Sequence, residues 1–172
     1  MRRHVILIGL PGAGKTAAGR AMAERLNAPF VDVDTLIVRK EGKPITMIFA
    51  ELGEPAFRVI ERREVDALLA ADPAIIAPGG GWAAQPGALE AARGRALIIY
   101  LKARPETATK RAEPEGNRPV LLGEDPVGRM KVLLQEREAF YNRADATVDT
   151  DRHTVDQVAA EVLRLAQLQA GW

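Results

Sequence analysis

Eight consecutive residues, Gly9-Leu10-Pro11-Gly12-Ala13-Gly14-Lys15-Thr16, restrict this chain more than any other feature. They match G-x-x-x-x-G-K-[ST], with an apolar run before them (residues 5–8) and helical patterning after them (residues 14–26). Without Cβ atoms at the glycines, successive backbone amides can turn inward on one anion. The helix that follows adds the positive end of its dipole. Lys15 is then placed to reach the outer phosphates of a nucleotide, and the Thr16 hydroxyl to meet a divalent cation. A chance glycine turn would need neither the strand nor the helix around it. The motif asks for both, and both are here.

The rest of the chain repeats the strand–helix rhythm. Short, continuously apolar runs at 30–33, 74–77, 96–101 and 146–148 join the one at 5–8. Runs of this type suit a parallel sheet covered on both faces. Helical patterning is expected at 35–41, 46–52, 54–71, 105–112, 126–143 and 155–168, which predicts a doubly wound α/β sheet. Two stretches break the alternation: 35–62 holds helices without a strand, and 113–125 is polar and aperiodic. Long insertions of this kind in a small domain serve as binding segments or lids. At 172 residues, 47% hydrophobic and 27% charged, the chain is sized for one domain with a real core. It has no cysteine, so disulfides and thiolate chemistry are excluded, and a net charge of +1 advertises neither nucleic acid nor a membrane surface. No run is long enough for a membrane span, and the apolar stretch after Met1-Arg2-Arg3-His4 is too short for a signal-peptide core. A cytoplasmic location is the expectation. His4 and His153 show no ligand spacing and are read as structural or surface residues.

Several further residues carry two readings each. Asp32 and Asp34 stand two apart at the expected end of the second strand, where both can point to one side. They serve a metal ion and an acceptor hydroxyl, or one of them simply caps the next helix. Arg58 and Glu61 are i,i+3 neighbours on a helix: a solvated ion pair, or a guanidinium held in orientation to grip a carboxylate. Gly79-Gly80-Gly81 directly follows an apolar run, and is a plain loop or a place of close backbone approach. Arg111, Arg118 and Arg137 are each surface charges taken alone; beside a phosphate loop, an arginine that closes on a transferring phosphoryl group has a clear electrostatic use.

In this order, the motifs resemble shikimate kinase along nearly the whole chain. The residues that carry the likeness are the phosphate loop 9–16, Phe30-Val31-Asp32-Val33-Asp34, and Gly53-Glu54-Pro55-Ala56-Phe57-Arg58-Val59-Ile60-Glu61. Gly79-Gly80-Gly81, Asn117-Arg118-Pro119-Val120-Leu121-Leu122, and Glu136-Arg137 ahead of Tyr141 complete the set. The resemblance implies a P-loop NTPase-type, nucleoside-monophosphate-kinase-like fold: a five-stranded parallel sheet flanked by helices, an acceptor-binding segment near 34–62 and a lid near 113–124. It implies a single kinase domain over 1–172, acting as a monomer, that converts ATP and shikimate to ADP and shikimate 3-phosphate on the route to chorismate and the aromatic amino acids.

Carried over by position, Gly12, Ala13, Gly14, Lys15, Thr16 and Ala17 would hold the ATP phosphates. Arg111 would flank the adenine, with Arg152 in the adenine-side loop. Thr16 would coordinate Mg²⁺, with Asp32 in its water shell. Asp34 would bind the shikimate hydroxyls, Arg58 and Arg137 its carboxylate, and Gly80 and Gly81 would add backbone contacts, while Glu61 orients Arg58. Lys15 and Arg118 would neutralise charge on the moving phosphoryl group, and whether Asp34 acts as a base stays open, because a loose transition state needs little base assistance.

The chain also departs from the family pattern. Ala17 replaces a hydroxyl residue, Pro78 and Trp82 flank the glycine triplet, and residues 151–154 lack a proline. Trp82 is expected to crowd the acceptor pocket. A gluconate-type kinase of the same fold is the alternative enzyme, since gluconate too carries a carboxylate and hydroxyls. A catalytically silent binding protein is the alternative of another class, but it would predict loss of Lys15, Asp34, Arg58 or Arg118, all of which are present.

Overall fold

The computed structural model describes residues 1–112 and 125–172. The five apolar runs are strands: β1 (His4–Ile8), β2 (Phe30–Asp32), β3 (Ile75–Ala77), β4 (Ala96–Lys102) and β5 (Ala146–Asp149). They form one parallel sheet in the order β2-β3-β1-β4-β5. β1 lies at its centre, with Val5 in register with Ile75 on one side and Leu97 on the other. Val5, Ile6, Leu7 and Ile8 are no more than 2% exposed, and burial of each contributes about 1.5–3 kcal/mol. His4, also buried, accepts a hydrogen bond on Nδ1 from the Ala74 amide at 3.1 Å, so it splices β1 to the chain leading into β3.

The helices are α1 (Lys15–Leu26), α2 (Val33–Glu41), α3 (Ile45–Leu69), α4 (Ala88–Ala92), α5 (Pro105–Ala112), α6 (Pro126–Tyr141) and α7 (Val155–Gln169). α1 packs against α7, and α5 against α6. Among the described residues no helix is long and apolar enough to cross a membrane.

Three differences from the sequence reading matter for the site. First, α2 starts two residues early. Asp32 ends β2 and caps α2 at once, its Oδ1 accepting from the Thr35 amide at 3.1 Å. Asp34 therefore sits in the first turn of a helix, so strand alternation is not what relates the two carboxylates. Second, the two helices expected at 46–52 and 54–71 run together as α3, broken at Gly53 (φ 82°, ψ 165°). A left-handed φ of this kind suits glycine, and Pro55 is tolerated because it falls in the first turn of the restarted helix. Third, a 3₁₀ turn (Trp82–Ala84) and α4 follow the glycine triplet, where no element was expected. Both are too short to show a periodic pattern. The expected lid at 113–124, with Arg118, lies outside the described residues.

Candidate active site

In an open parallel sheet, loops beyond the carboxyl ends of the strands form the ligand crevice. Here the phosphate loop follows β1, Asp32 closes β2, and the glycine triplet follows β3. Lys15, buried in the first turn of α1, donates to the carbonyls of Gly9 and Leu10 at 2.8 and 2.9 Å. Those bonds shape the loop from inside. Gly12 (φ 80°) backs onto the Ala108 carbonyl so closely that a Cβ would collide with it, which ties the loop to α5.

A cavity of about 450 Å³ opens beside this loop. Its wall is built from Gly12 through Ala18, Arg111, Thr150, His153, Thr154, Val155 and Val158. Gly12, Ala13, Gly14, Lys15, Thr16, Ala17 and Arg111 are thus brought together on one hollow, polar at the loop and apolar along α7. Arg111 donates to the Thr150 hydroxyl and carbonyl, each at 3.1 Å, which sets its guanidinium along the far wall. The 151–154 loop lacks a proline, but a capping box closes it: Thr154 Oγ1 accepts from the Gln157 amide at 3.2 Å, and Gln157 Oε1 from the Thr154 amide at 2.9 Å. Arg152 does not reach this hollow. The turn carries it to a separate cleft with Tyr100, Lys102 and Arg104, so His153 and Thr154 line the cavity in its place.

The two residues expected at a divalent cation, Thr16 and Asp32, meet directly. Thr16 Oγ1 donates to Asp32 Oδ2 at 2.6 Å. Among the described residues no cluster of three or more His, Cys, Asp or Glu side chains could cage a metal. One hydroxyl backed by one carboxylate suits Mg²⁺, which keeps several waters and takes its remaining ligands from phosphates.

The second hollow, about 530 Å³, is lined by Glu54, Arg58, Val59, Arg62, Gly81, Ala84, Gln85, Pro86, Glu136 and Arg137. Glu61 lies fully buried beneath it. Arg58 donates to Glu61 Oε1 at 3.1 Å and to Glu54 Oε1 at 3.2 Å, so the guanidinium is braced from two sides. The Gly79 amide donates to Glu61 Oε2 at 3.0 Å, and the Gln85 side-chain amide to Oε1 at 2.9 Å. The Arg58–Glu61 pair is therefore no solvated surface contact.

Each glycine of the triplet backs onto a different charge. A Cβ at Gly79 would collide with Glu61 Oε2, one at Gly80 would lie 2.9 Å from Arg137 Nη1, and one at Gly81 would lie 2.7 Å from the Arg58 guanidinium. Gly80 also approaches the Gly9 carbonyl and Pro11, at the start of the phosphate loop. Asp34 lies near Gly79 and close enough to Glu61 for its charge to be felt there.

Arg137 is buried on α6, and its Nη1 has no hydrogen-bond partner among the described residues. Leaving a guanidinium nitrogen buried and unsatisfied is costly, and a ligand carboxylate would satisfy it. Tyr141, fully buried one turn on, donates to the Gly80 carbonyl at 2.6 Å and stacks edge-on against Tyr100 at 5.0 Å. Burial pushes the Tyr141 phenol above its ordinary range, so it remains a donor. Trp82, expected to crowd this pocket, instead points into the core. It is 0% exposed and absent from the pocket wall, because the 3₁₀ turn rotates it inward.

Burial is the main cause that raises the Glu61 carboxyl above its ordinary value of 4.5; the Arg58 charge opposes it and Asp34 adds to it. The folded chain thus binds this proton more tightly than the unfolded one. The stability drawn from this group is full below about pH 4.5 and falls as pH rises through the raised value. Glu61→Gln should flatten that slope in urea unfolding measured across the acid range. A slope identical to wild type would rule out Glu61 as its source.

Comparison with known proteins agrees on one family. The shikimate kinase family model matches residues 11–167. A shikimate kinase from Symbiobacterium thermophilum is 41% identical over 95% of this chain and 96% of its own length. The structure of a shikimate kinase from Acinetobacter baumannii in complex with shikimate superposes with a TM-score of 0.92 at 32% identity, covering 98% of this chain and 94% of that one. A gluconokinase from Sinorhizobium meliloti shares the fold at a TM-score of 0.68, with 17% identity, 99% of this chain and 94% of that one covered. Family match, full-length relatives and superposition agree with the phosphate loop and the arginine-lined hollow beside it: the chain belongs to the shikimate kinase family.

Proposed function

We propose that this chain transfers the γ-phosphoryl group of ATP to the 3-hydroxyl of shikimate, acting as a monomeric kinase domain over residues 1–172. The observation that carries the acceptor half is the buried Arg137 guanidinium, whose Nη1 has no hydrogen-bond partner among the described residues, in the same pocket wall as the braced Arg58. Two guanidinium forks converging there favour an acceptor with a carboxylate. In this reading Arg58 and Arg137 grip that carboxylate, and the Gly80 and Gly81 backbone packs against the ring. Asp34 accepts from a ring hydroxyl and sets the acceptor's angle toward the phosphate loop.

Gly12, Ala13, Gly14, Lys15, Thr16 and Ala17 hold the nucleotide's phosphates, and Arg111 lies along its base. Thr16 and Asp32 would hold Mg²⁺, which when bound screens charge on the phosphates. Lys15 and Arg118 neutralise charge that builds on the oxygens in flight, so catalysis is mostly positioning and electrostatics.

An ADP-release assay with Mg·ATP, run with shikimate and gluconate in parallel, tests the reading. Turnover on shikimate alone is expected. Turnover on gluconate alone would keep the nucleotide half and overturn the acceptor half.

A further inference from the structure

A fully buried carboxylate stays ionised only if donors fill its lone pairs. Glu61 is such a group, and three donors reach it: Arg58 Nη1 and Gln85 Nε2 on Oε1, at 3.1 and 2.9 Å, and the Gly79 amide on Oε2, at 3.0 Å. Two of these belong to motifs already assigned to the acceptor. Gln85 belongs to none. It ends the 3₁₀ turn, its own amide bonded to the Trp82 carbonyl at 3.0 Å and its carbonyl to the Ala88 amide at 3.1 Å. Its backbone is thereby fixed on both sides, and its side chain lies half-buried in the wall of the acceptor pocket. An ionised carboxylate only accepts hydrogen bonds, so the nitrogen of the Gln85 amide is the atom that must face it.

We propose that Gln85 is a positioning residue for acceptor binding: its amide fills Oε1 of Glu61, fixes that carboxylate in place, and so holds the Arg58 fork toward the acceptor's carboxylate. The inference rests on the acceptor reading above. The groups that face Glu61 are Arg58 from α3, Asp34 from α2 and Tyr141 from α6. Burial and the Asp34 charge favour the protonated form of Glu61; Arg58 and the Gly79 amide oppose them. Loss of the Gln85 donor tips this balance toward protonation, and a neutral Glu61 orients a guanidinium poorly. The nucleotide cavity does not include Gln85, so the effect belongs to the acceptor alone.

Gln85→Met keeps length and volume while removing the donor. Steady-state kinetics with Mg·ATP and shikimate would be followed from about pH 5.5 to 8.5. The expected result is an acceptor KM raised about tenfold, the scale of one hydrogen bond to a charged group, with kcat and the ATP KM within about twofold of wild type. The acid limb of kcat/KM for shikimate should move to higher pH. In a Glu61→Gln background, Gln85→Met should not move it further. A wild-type acceptor KM with an unmoved acid limb would overturn the inference, as would an equal loss in the ATP KM. Gln85→Ala repeats the readings if Met packs badly, and thermal unfolding of both variants reports the folded fraction. Wild-type enzyme silent on shikimate overturns both readings; shikimate turnover with an unmoved Gln85→Met overturns this one alone.

Discussion

Lys15→Ala is expected to lower turnover at saturating Mg·ATP and shikimate by about a thousandfold or more, the scale seen when a group stabilising charge on a transferring phosphoryl is removed. Lys15 already lies inside the phosphate loop, its ammonium bonded to the Gly9 and Leu10 carbonyls at 2.8 and 2.9 Å. It also lines the cavity beside the loop, where the proposed nucleotide would place its phosphates. The same contacts imply a stability cost of about 1–3 kcal/mol for the substitution, since two carbonyls lose a charged donor. Circular dichroism and urea unfolding would separate that modest cost from the kinetic collapse. A folded Lys15→Ala enzyme with wild-type kcat would remove the lysine from the mechanism.

Arg58→Ala is expected to weaken acceptor binding by about 2–5 kcal/mol, the range for truncating one partner of a buried charge pair, with the ATP KM little changed. The guanidinium is 19% exposed and Glu61 beneath it 0%, so the pair is shielded far better than a surface ion pair. Truncation also leaves Glu61 facing burial without its main opposing charge, and its pKa should climb further. Pairing Arg58→Ala with Glu61→Gln should recover stability without recovering the shikimate KM. That split distinguishes a ligand-gripping arginine from one that only neutralises its neighbour. Full recovery of KM in the double variant would assign Arg58 the structural role alone.

Much of the architecture was legible because the physics is local. Central parallel strands are apolar on both faces, so runs such as 96–101 announce themselves without alternation. The break in α3 could be placed at Gly53 because glycine and a nearby proline punctuate the pattern there. Asp32 was harder to read. Its reading as a cap holds, with Oδ1 serving the Thr35 amide, while Oδ2 is left to accept from the Thr16 hydroxyl. The inward turn of Trp82 and the contacts of Gln85 and Tyr141 had no signal in the chain. They depend on a five-residue helix and a 3₁₀ turn whose course is set by tertiary contacts, such as the bonds from Arg62 to the Pro86 and Gly87 carbonyls at 2.9 and 3.2 Å. Arg152 lines a different cleft for a similar reason: which way a turn residue faces is decided by its neighbours, not its motif.

The two hollows have no wall residue in common, and Gly80, next to Gly81 in the wall of the second, forms a seam with Gly9 and Pro11 of the phosphate loop. In evolutionary terms, walls that share no residue can change separately. Drift in the segments around 54–62 and 81–86 can explore new acceptors while the nucleotide half stays under its own selection. The reverse holds for the loop at 150–155. What cannot drift is the seam: a methyl at Gly80 would press on Arg137 on one side and on the phosphate loop on the other. Descendants of this fold that change acceptor should vary the walls and spare that one contact.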